Sequence, residues 1–491
     1  MLPNTAETTL GRATAPLVDA HPGLSGVVAL RTGGDAFAAR ALLADAAERT
    51  LDVQYYIWHA DMSGTLLLDA LRRAAARGVR VRMLLDDNNT SGLDSTLSPF
   101  AALPNVEVRL FNPFAARGWR ALGFLTDFAR LNRRMHNKSF TADNQATIVG
   151  GRNVGDEYFG GDAQLLFFDL DVLAIGQVVS DVSEDFDRYW NSTSAYPAAS
   201  LLPPPTPESE QALDLRLQSQ RKDPGARRYE QAVAASTFVA DMNGRRLAFD
   251  WAAVHLVSDD PGKVLGTAAD SELLWNRLKR IVAKPRVELI LASPYFVPGE
   301  KGVEDFAAMA ASGVQVTVLT NSLEATDVPA VHAGYAKRRV PLLRAGVALY
   351  ELKRGVDPHT MIDARRPTGS RGPGASGTPG SSGSSLHTKA FTVDRERAFI
   401  GSFNFDPRSA RLNTEMGFII DSPTLARSMV EALRPRLAEN AYRVRLGDRG
   451  QLQWVETVDG REVVHEQEPG TSFWRRLGVS ILSLLPIEWL L

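Results

Sequence analysis

The chain has 491 residues and no cysteine, which excludes disulfides, zinc–thiolate sites, iron–sulfur clusters and thiol nucleophiles together. It is 44% hydrophobic and 23% charged, the balance of a folded globular protein with a sizeable core. Its formal net charge of -2 lacks the basic bias of a dedicated nucleic-acid binder, so no nucleic-acid partner is expected.

The first twenty residues show no basic start followed by an apolar run, so no signal peptide is expected. No uninterrupted apolar stretch of about 20 residues predicts a membrane span. Leu51–Trp58, rich in aromatic and β-branched residues, reads as a buried strand. A helical pattern follows through Leu66, Leu67, Ala70, Leu71 and Ala74, closed by Gly78. Val79–Leu85 is the next strand and ends in Asp86 and Asp87. With no histidine or glutamate clustered beside them, these two acids read as a solvated strand end rather than a metal site. Residues 114–134 carry Phe114, Trp119, Leu122, Phe124, Leu125, Phe128 and Leu131 at helical spacing, flanked by Arg117, Arg120, Arg130, Arg133 and Arg134. That pattern fits either an anionic membrane surface or a helix packed on the sheet.

The same plan then recurs. Val287–Ser293 is a strand, Val303–Ala311 a helix closed by Gly313, and Val314–Thr320 a strand. Strands alternating with helices in both halves predict an α/β fold of two similar domains, each a sheet flanked by helices, related by a pseudo-two-fold with the site at their interface. The expected boundaries are 25–200 for the first domain, 201–235 for a proline-rich linker and 236–448 for the second domain. Residues 366–385, dominated by Gly, Ser, Pro and Thr, read as a flexible loop. Residues 449–491 form a C-terminal extension. It ends in an apolar run with a basic start, Phe473-Trp474-Arg475-Arg476, and a closing Trp489-Leu490-Leu491, which suits a membrane interface.

The chemistry lies in a motif that occurs twice. His136-Asn137-Lys138 is followed by Asp143, and His387-Thr388-Lys389 by Asp394; both read HxKxxxxD. Asn153 lies seventeen positions after His136 and Asn404 seventeen after His387, behind Gly150-Gly151 and Gly401-Ser402. A single match is weak, but two in corresponding places of an internal repeat are not. His and Lys two apart on a strand share a face. Lys138 and Lys389 supply two cations for a phosphodiester without metal or cofactor, and Asn153, Asn404 and Ser402 are candidate hydrogen-bond donors to its oxygens. One imidazole attacks phosphorus; the other handles the proton of the leaving and incoming oxygens. Asp171 and Glu415 are the candidates to orient the two rings. Asp143 and Asp394 close the motifs and are counted with the catalytic set, in a mainly structural role. The other histidines, His21, His59, His255, His332, His359 and His465, lack such surroundings in the sequence.

The duplicated HxKxxxxD with trailing Gly-Ser-x-Asn resembles the phospholipase D superfamily from about residue 30 to about 445. Leu51-Asp52-Val53-Gln54-Tyr55-Tyr56-Ile57-Trp58, Asn132–Lys138, Gly150–Phe159 and Gly401–Ser409 are similar to bacterial cardiolipin synthases, nearest the shorter ones without N-terminal membrane spans. The resemblance implies phosphatidyl transfer onto phosphatidylglycerol, from phosphatidylethanolamine or a second phosphatidylglycerol, through a phosphohistidine. It favours His136 as nucleophile and His387 as acid/base. It also implies a peripheral enzyme on the cytoplasmic side of a bacterial membrane. Gly151 departs from the pattern, standing where the second half has Ser402. A phosphodiesterase transferring to water, acting on phospholipid or nucleic acid, and a catalytically silent scaffold are the competing readings.

Overall fold

The computed structural model describes residues 4–90, 92–115, 117, 123, 125–160, 165–244, 246–282, 284–355, 383–485 and 488–490. In the first half the strands are β1 (Ser25–Leu30), β2 (Thr50–Tyr55), β3 (Arg80–Asp86), β4 (Val106–Phe111), β5 (Ser139–Ala142), β6 (Ala146–Gly150), β7 (Leu165–Phe168), β8 (Asp171–Gly176) and β9 (Ala195–Pro197). In the second they are β10 (Asp250–Ser258), β11 (Glu288–Ala292), β12 (Gln315–Asn321), β13 (Ala348–Leu352), β14 (Gly383–Leu386), β15 (Ala390–Val393), β16 (Arg397–Gly401), β17 (Met416–Asp421) and β18 (Ala441–Leu446). Pairing orders the first sheet β9-β4-β3-β2-β5-β6-β8-β1. The second runs β18-β13-β12-β11-β15-β16-β17-β10, the same order strand for strand. Only the central β2-β3-β4 and β11-β12-β13 runs are parallel, and helices connect them. β1 and β10 pair antiparallel and join the two sheets at their equivalent edges.

Each half buries its own apolar core, and a third core draws on both. There Val149, Val172 and Ala174 pack with Ala398, Ile400, Phe418 and Ile420. The helix after β2, Met62–Ala76, starts where the Asp61 side chain accepts the Gly64 N–H at 3.0 Å, and its turn-out at Gly78 needs a φ of 93°. Gly313, at 91°, closes Gly299–Ala311 in the same way. The stretch between the halves folds as the helices Pro207–Lys222, Pro224–Ala234 and Thr237–Asn243, and Leu213, Leu217 and Ala226 enter the first core. Of the predicted flexible loop, 366–382 lies outside the described residues, and 383–385 belong to β14. His332 is buried beside Arg339 and Glu468, a cluster that ties the C-terminal extension to the second half. The helix Phe473–Ser483 packs Val479 and Leu482 against Leu323 and Ala333.

The acids that close the two motifs are fold residues. Asp143-Asn144 and Asp394-Arg395 make the tight β5–β6 and β15–β16 turns, all four with φ between 51° and 54°. Two left-handed residues in succession match the twist of a hairpin, and Asp and Asn tolerate them. The Asp143 carboxylate accepts the N–H groups of Glu48, Arg49 and Thr50 at 3.0, 2.7 and 2.9 Å. Asp394 does the same for Arg286, Val287 and Glu288. Each staples its hairpin to the start of the neighbouring central strand. Asp143 lies five positions beyond Lys138, about 16 Å along an extended chain, and both acids bond backbone N–H groups rather than the histidines and lysines. Replacing Asp143 with Ala removes the acceptor of three N–H groups, of which only that of Thr50 is fully buried, and is expected to lower unfolding free energy by about 1–3 kcal/mol. Turnover per folded molecule should change little. Chemical denaturation and active-site titration on the same samples check both halves of that statement.

Candidate active site

Two short pairings across the halves build the site. β7 and β14 run parallel, with Phe168 opposite Leu386, so Asp169 and His387 leave the pair side by side. The Met135–Thr414 bridge, also parallel, delivers His136 beside Glu415. Backbone bonds lock both: the His387 N–H donates to the Phe168 carbonyl at 2.7 Å, and the His136 N–H to that of Thr414 at 2.8 Å. His136 Nδ1 then lies 2.8 Å from Glu415 Oε2, and His387 Nδ1 lies 2.5 Å from Asp169 Oδ2. Each imidazole is therefore oriented by a carboxylate of the other half. A proton shared at Nδ1 leaves Nε2 with its lone pair. Tyr56 and Tyr158 pack edge-on against His136 and His387, with ring centres 4.9 and 5.2 Å apart.

The lysines fold back over the histidines. Lys138 Nζ donates to the His136 carbonyl at 2.5 Å; Lys389 Nζ donates to that of His387 and lies 3.0 Å from its Nδ1. Burial pulls Lys138 down to about 7 and Lys389 to about 8. Burial, helped by both lysines, holds the two imidazoles well below their usual range and so neutral. Burial also lifts Glu415 to about 7 and raises Asp169. Two lysines and two carboxyl groups thus share a buried site in which an arriving phosphodiester would stabilise the ammonium charges. A neutral imidazole with an exposed lone pair is the form that can attack phosphorus. Among the described residues no group of three or more His, Asp or Glu is arranged to hold a metal.

Several expectations are corrected. Asp171 does not orient a histidine; it accepts from Arg40 Nη2 at 2.8 Å and from the Arg152 N–H at 3.1 Å. Its place is taken by Asp169. The sheet register explains why: Gly150 pairs with Asp171 and Gly401 with Gly417, which makes Asp169 the counterpart of Glu415. Ser402 was expected on the substrate, yet its hydroxyl donates to Glu415 Oε2 and accepts the Met416 N–H at 3.0 Å. At its counterpart, Gly151, a Cβ would stand 2.1 Å from Asp169 Oδ1. The missing serine and the shorter acid are one coupled change. Asn153 is also engaged internally, accepting the Ile57 N–H at 3.2 Å and donating to the Tyr158 hydroxyl at 2.9 Å. Asn404 has a buried Oδ1 with no partner among the described residues.

Asp86 and Asp87 are buried rather than solvated. Asp86 accepts from Arg134 Nε at 2.9 Å and from the Met135 N–H at 2.8 Å, fixing the residue before His136. Asp87 accepts the Phe114 N–H at 2.8 Å and Arg117 Nη1 at 2.6 Å. The only sequence signal for this role was the position of both acids at a strand end. Of the 114–134 segment, Trp119, Arg120, Leu122 and Phe124 lie outside the described residues. Leu125 is 82% exposed, while Arg130 pairs with Asp127.

Two equivalent halves meeting at two histidines, each with its lysine, define a phosphodiester-handling enzyme of the phospholipase D class. Residues 41–190 and 278–435 match the family model described as cardiolipin synthase, PLD-like domain, and the chain belongs to that family. It is 48% identical over 482 residues to cardiolipin synthase C of Escherichia coli (strain K12), covering 98% of this chain and 99% of the relative. It is 31% identical over 490 residues to an uncharacterized protein of Helicobacter pylori (strain J99), covering 98% and 92%. The crystal structure of phosphatidylserine synthase from Haemophilus influenzae Rd KW20 shares the fold, with a TM-score of 0.59 at 13% identity, over 99% of this chain and all of that one.

Asp169→Asn and Asp171→Asn separate orientation from support. The first should lower turnover by about 10² to 10⁴ with the unfolding midpoint preserved, as when a histidine loses its tautomer-fixing acid. The second, which unpairs buried Arg40, should lower the midpoint first. Steady-state turnover on a phospholipid and thermal unfolding of the same preparations read the two effects.

Proposed function

We propose that the chain is a phosphatidyltransferase making cardiolipin from phosphatidylglycerol and a second phospholipid, phosphatidylethanolamine or another phosphatidylglycerol. The observation that carries this is the pair of imidazoles, each backed by a carboxylate of the opposite half and flanked by a buried lysine, in a chain 48% identical to a cardiolipin synthase. His136 Nε2 attacks the donor phosphorus, forming a P–N bond as the P–O bond to the headgroup breaks. For this step His387 must first take up a proton at Nε2, a charge that the arriving phosphate anion and Asp169 favour; the imidazolium then gives that Nε2 proton to the leaving oxygen. The free hydroxyl of phosphatidylglycerol then surrenders its proton to His387 and attacks the same phosphorus. The P–N bond breaks and His136 is restored. Lys138 and Lys389 face the non-bridging oxygens, whose charge is largest in the transition state. Water in place of the second lipid would give phosphatidic acid, the hydrolytic alternative.

Mass spectrometry of lipids after incubating the purified chain with vesicles of defined composition tests this. Cardiolipin with stoichiometric release of a free headgroup is expected. Phosphatidic acid as the sole product would move the assignment to a hydrolase. The pH dependence follows from the buried charges. The lysine cations exist below about 7 and 8 and are lost above, while Glu415 becomes a carboxylate only as pH rises through about 7. A bell centred near neutrality is therefore expected for kcat/KM, which reports the free enzyme. A plateau extending to strongly alkaline pH would contradict the lysine role.

The association with membrane is read as peripheral, on the cytoplasmic face, through the C-terminal extension. Phe473 and Trp474, at the start of the helix Phe473–Ser483, are 61% and 75% exposed and Leu484, just past its end, 84%, while Val479 and Leu482 pack inward. No helix among the described residues is long and apolar enough to cross a membrane. Arg408 bonds both the Leu490 carbonyl and Asn132, so the extension ends beside the segment that leads to His136. Trp474→Ser combined with Leu484→Ser should reduce co-sedimentation with phosphatidylglycerol vesicles several-fold at an unchanged unfolding midpoint.

A further inference from the structure

The carboxyl ends of parallel strands are where open α/β sheets bind ligands. β11 and β12 end beside the catalytic strand of the second half. Asn321, the last residue of β12, clamps the backbone of Leu386 through both ends of its amide, at 3.0 and 2.9 Å, one residue before His387. The chain leaving β11 carries Tyr295, and the loop leaving β12 carries Asp327. The Tyr295 hydroxyl donates to Asp327 Oδ2 at 2.8 Å, and the acid itself is exposed. Its charge reaches the catalytic groups. Against the burial that lowers Lys389, Asp327 is among the acids that favour the cation, and it adds to the burial that raises the phenols of Tyr158 and Tyr295. Tyr158 is the ring packed on His387.

An exposed acid at the entrance of a site for an anionic phosphate opposes binding, unless the substrate brings a compensating positive group. The first half has no acid at the equivalent position. With Leu51 paired to Val81 and Leu289 to Val316, Asp86 is the counterpart of Asn321, and counting on makes Gly92 the counterpart of Asp327. Tyr56, beside His136, lies instead within reach of the buried Asp86 together with Arg134 and Arg408. The acidic side of the cleft is thus the His387 side. In the phosphatidyltransfer reading, on which this inference rests, that is where the leaving headgroup is protonated.

We infer that Asp327, oriented by Tyr295, determines headgroup specificity, and that the headgroup class it favours is a primary ammonium set two carbons from the phosphate oxygen. The ammonium pairs with the carboxylate, which Tyr295 holds in place through its hydroxyl. The phosphate of the same molecule keeps its place between the lysines. A glycerol headgroup could only hydrogen-bond to Asp327 and gains no charge pairing.

The full chain, wild type and Asp327→Asn, is assayed for cardiolipin on vesicles of phosphatidylglycerol alone and of phosphatidylglycerol with headgroup-labelled phosphatidylethanolamine. The acceptor is the same in both mixtures, so a difference reports the donor. Asp327→Asn is expected to lower ethanolamine release by about tenfold, while the phosphatidylglycerol-only rate changes by less than about threefold. Tyr295→Phe should shift the ratio in the same direction by less. Equal losses in both mixtures, no loss in either, or a loss confined to phosphatidylglycerol alone would overturn the assignment; the last would make Asp327 a partner of glycerol hydroxyls. Absence of cardiolipin from the wild type in both mixtures would instead overturn the transferase reading, and this inference with it.

Discussion

The bond between each imidazole and a carboxylate from the opposite half is the interaction on which the site depends. His136 to Glu415 and His387 to Asp169 are buried, charge-assisted contacts. Neither half alone contains a complete catalytic unit. A histidine without its acid loses its tautomer and its direction, and an acid without its histidine is a buried charge without compensation. The cross-half backbone bonds at Phe168 and Thr414 and the shared apolar core around Ile400 and Phe418 keep these four side chains in register. Function and the packing of the two repeats are thus one requirement.

The duplication is not carried through to perfect symmetry. A glutamate with a serine on its carboxylate serves His136, and a shorter aspartate packed on a glycine serves His387. Burial lifts Glu415 to about 7 and raises Asp169 as well. The acids past the equivalent strands also differ: Asp327 is exposed and bonded by Tyr295, and Asp86 is buried against Arg134. Two chemically distinct tasks, attack at phosphorus and proton transfer at oxygen, suit two similar but unequal halves.

Much of this was legible in the residues themselves. The repeated strand–helix–strand plan, the glycines at 78 and 313, both histidines and both lysines follow from local pattern and spacing, which survive in a fold built by repetition. Glu415 was legible, but Asp169 was not. The acid lies nineteen residues past Gly150 in one half and fourteen past Gly401 in the other, so counting cannot align them and only the strand register does. Ser402 and Asn153 have the right chemistry for a phosphate, yet a hydroxyl or amide has few hydrogen bonds to give, and here neighbours take them. Asp86 and Asp87 look like a loop edge in one dimension. Only the returning chain at Phe114, Arg117 and Arg134 buries them.

Covalent transfer through one histidine of this cross-braced pair is best tested by rapid acid-free quenching of the reaction with phosphorus-labelled phosphatidyl donor, followed by peptide mapping. The account predicts a labelled phosphohistidine at His136, absent from His136→Ala. Label at His387, or turnover with no phosphoenzyme at any time point, would contradict it.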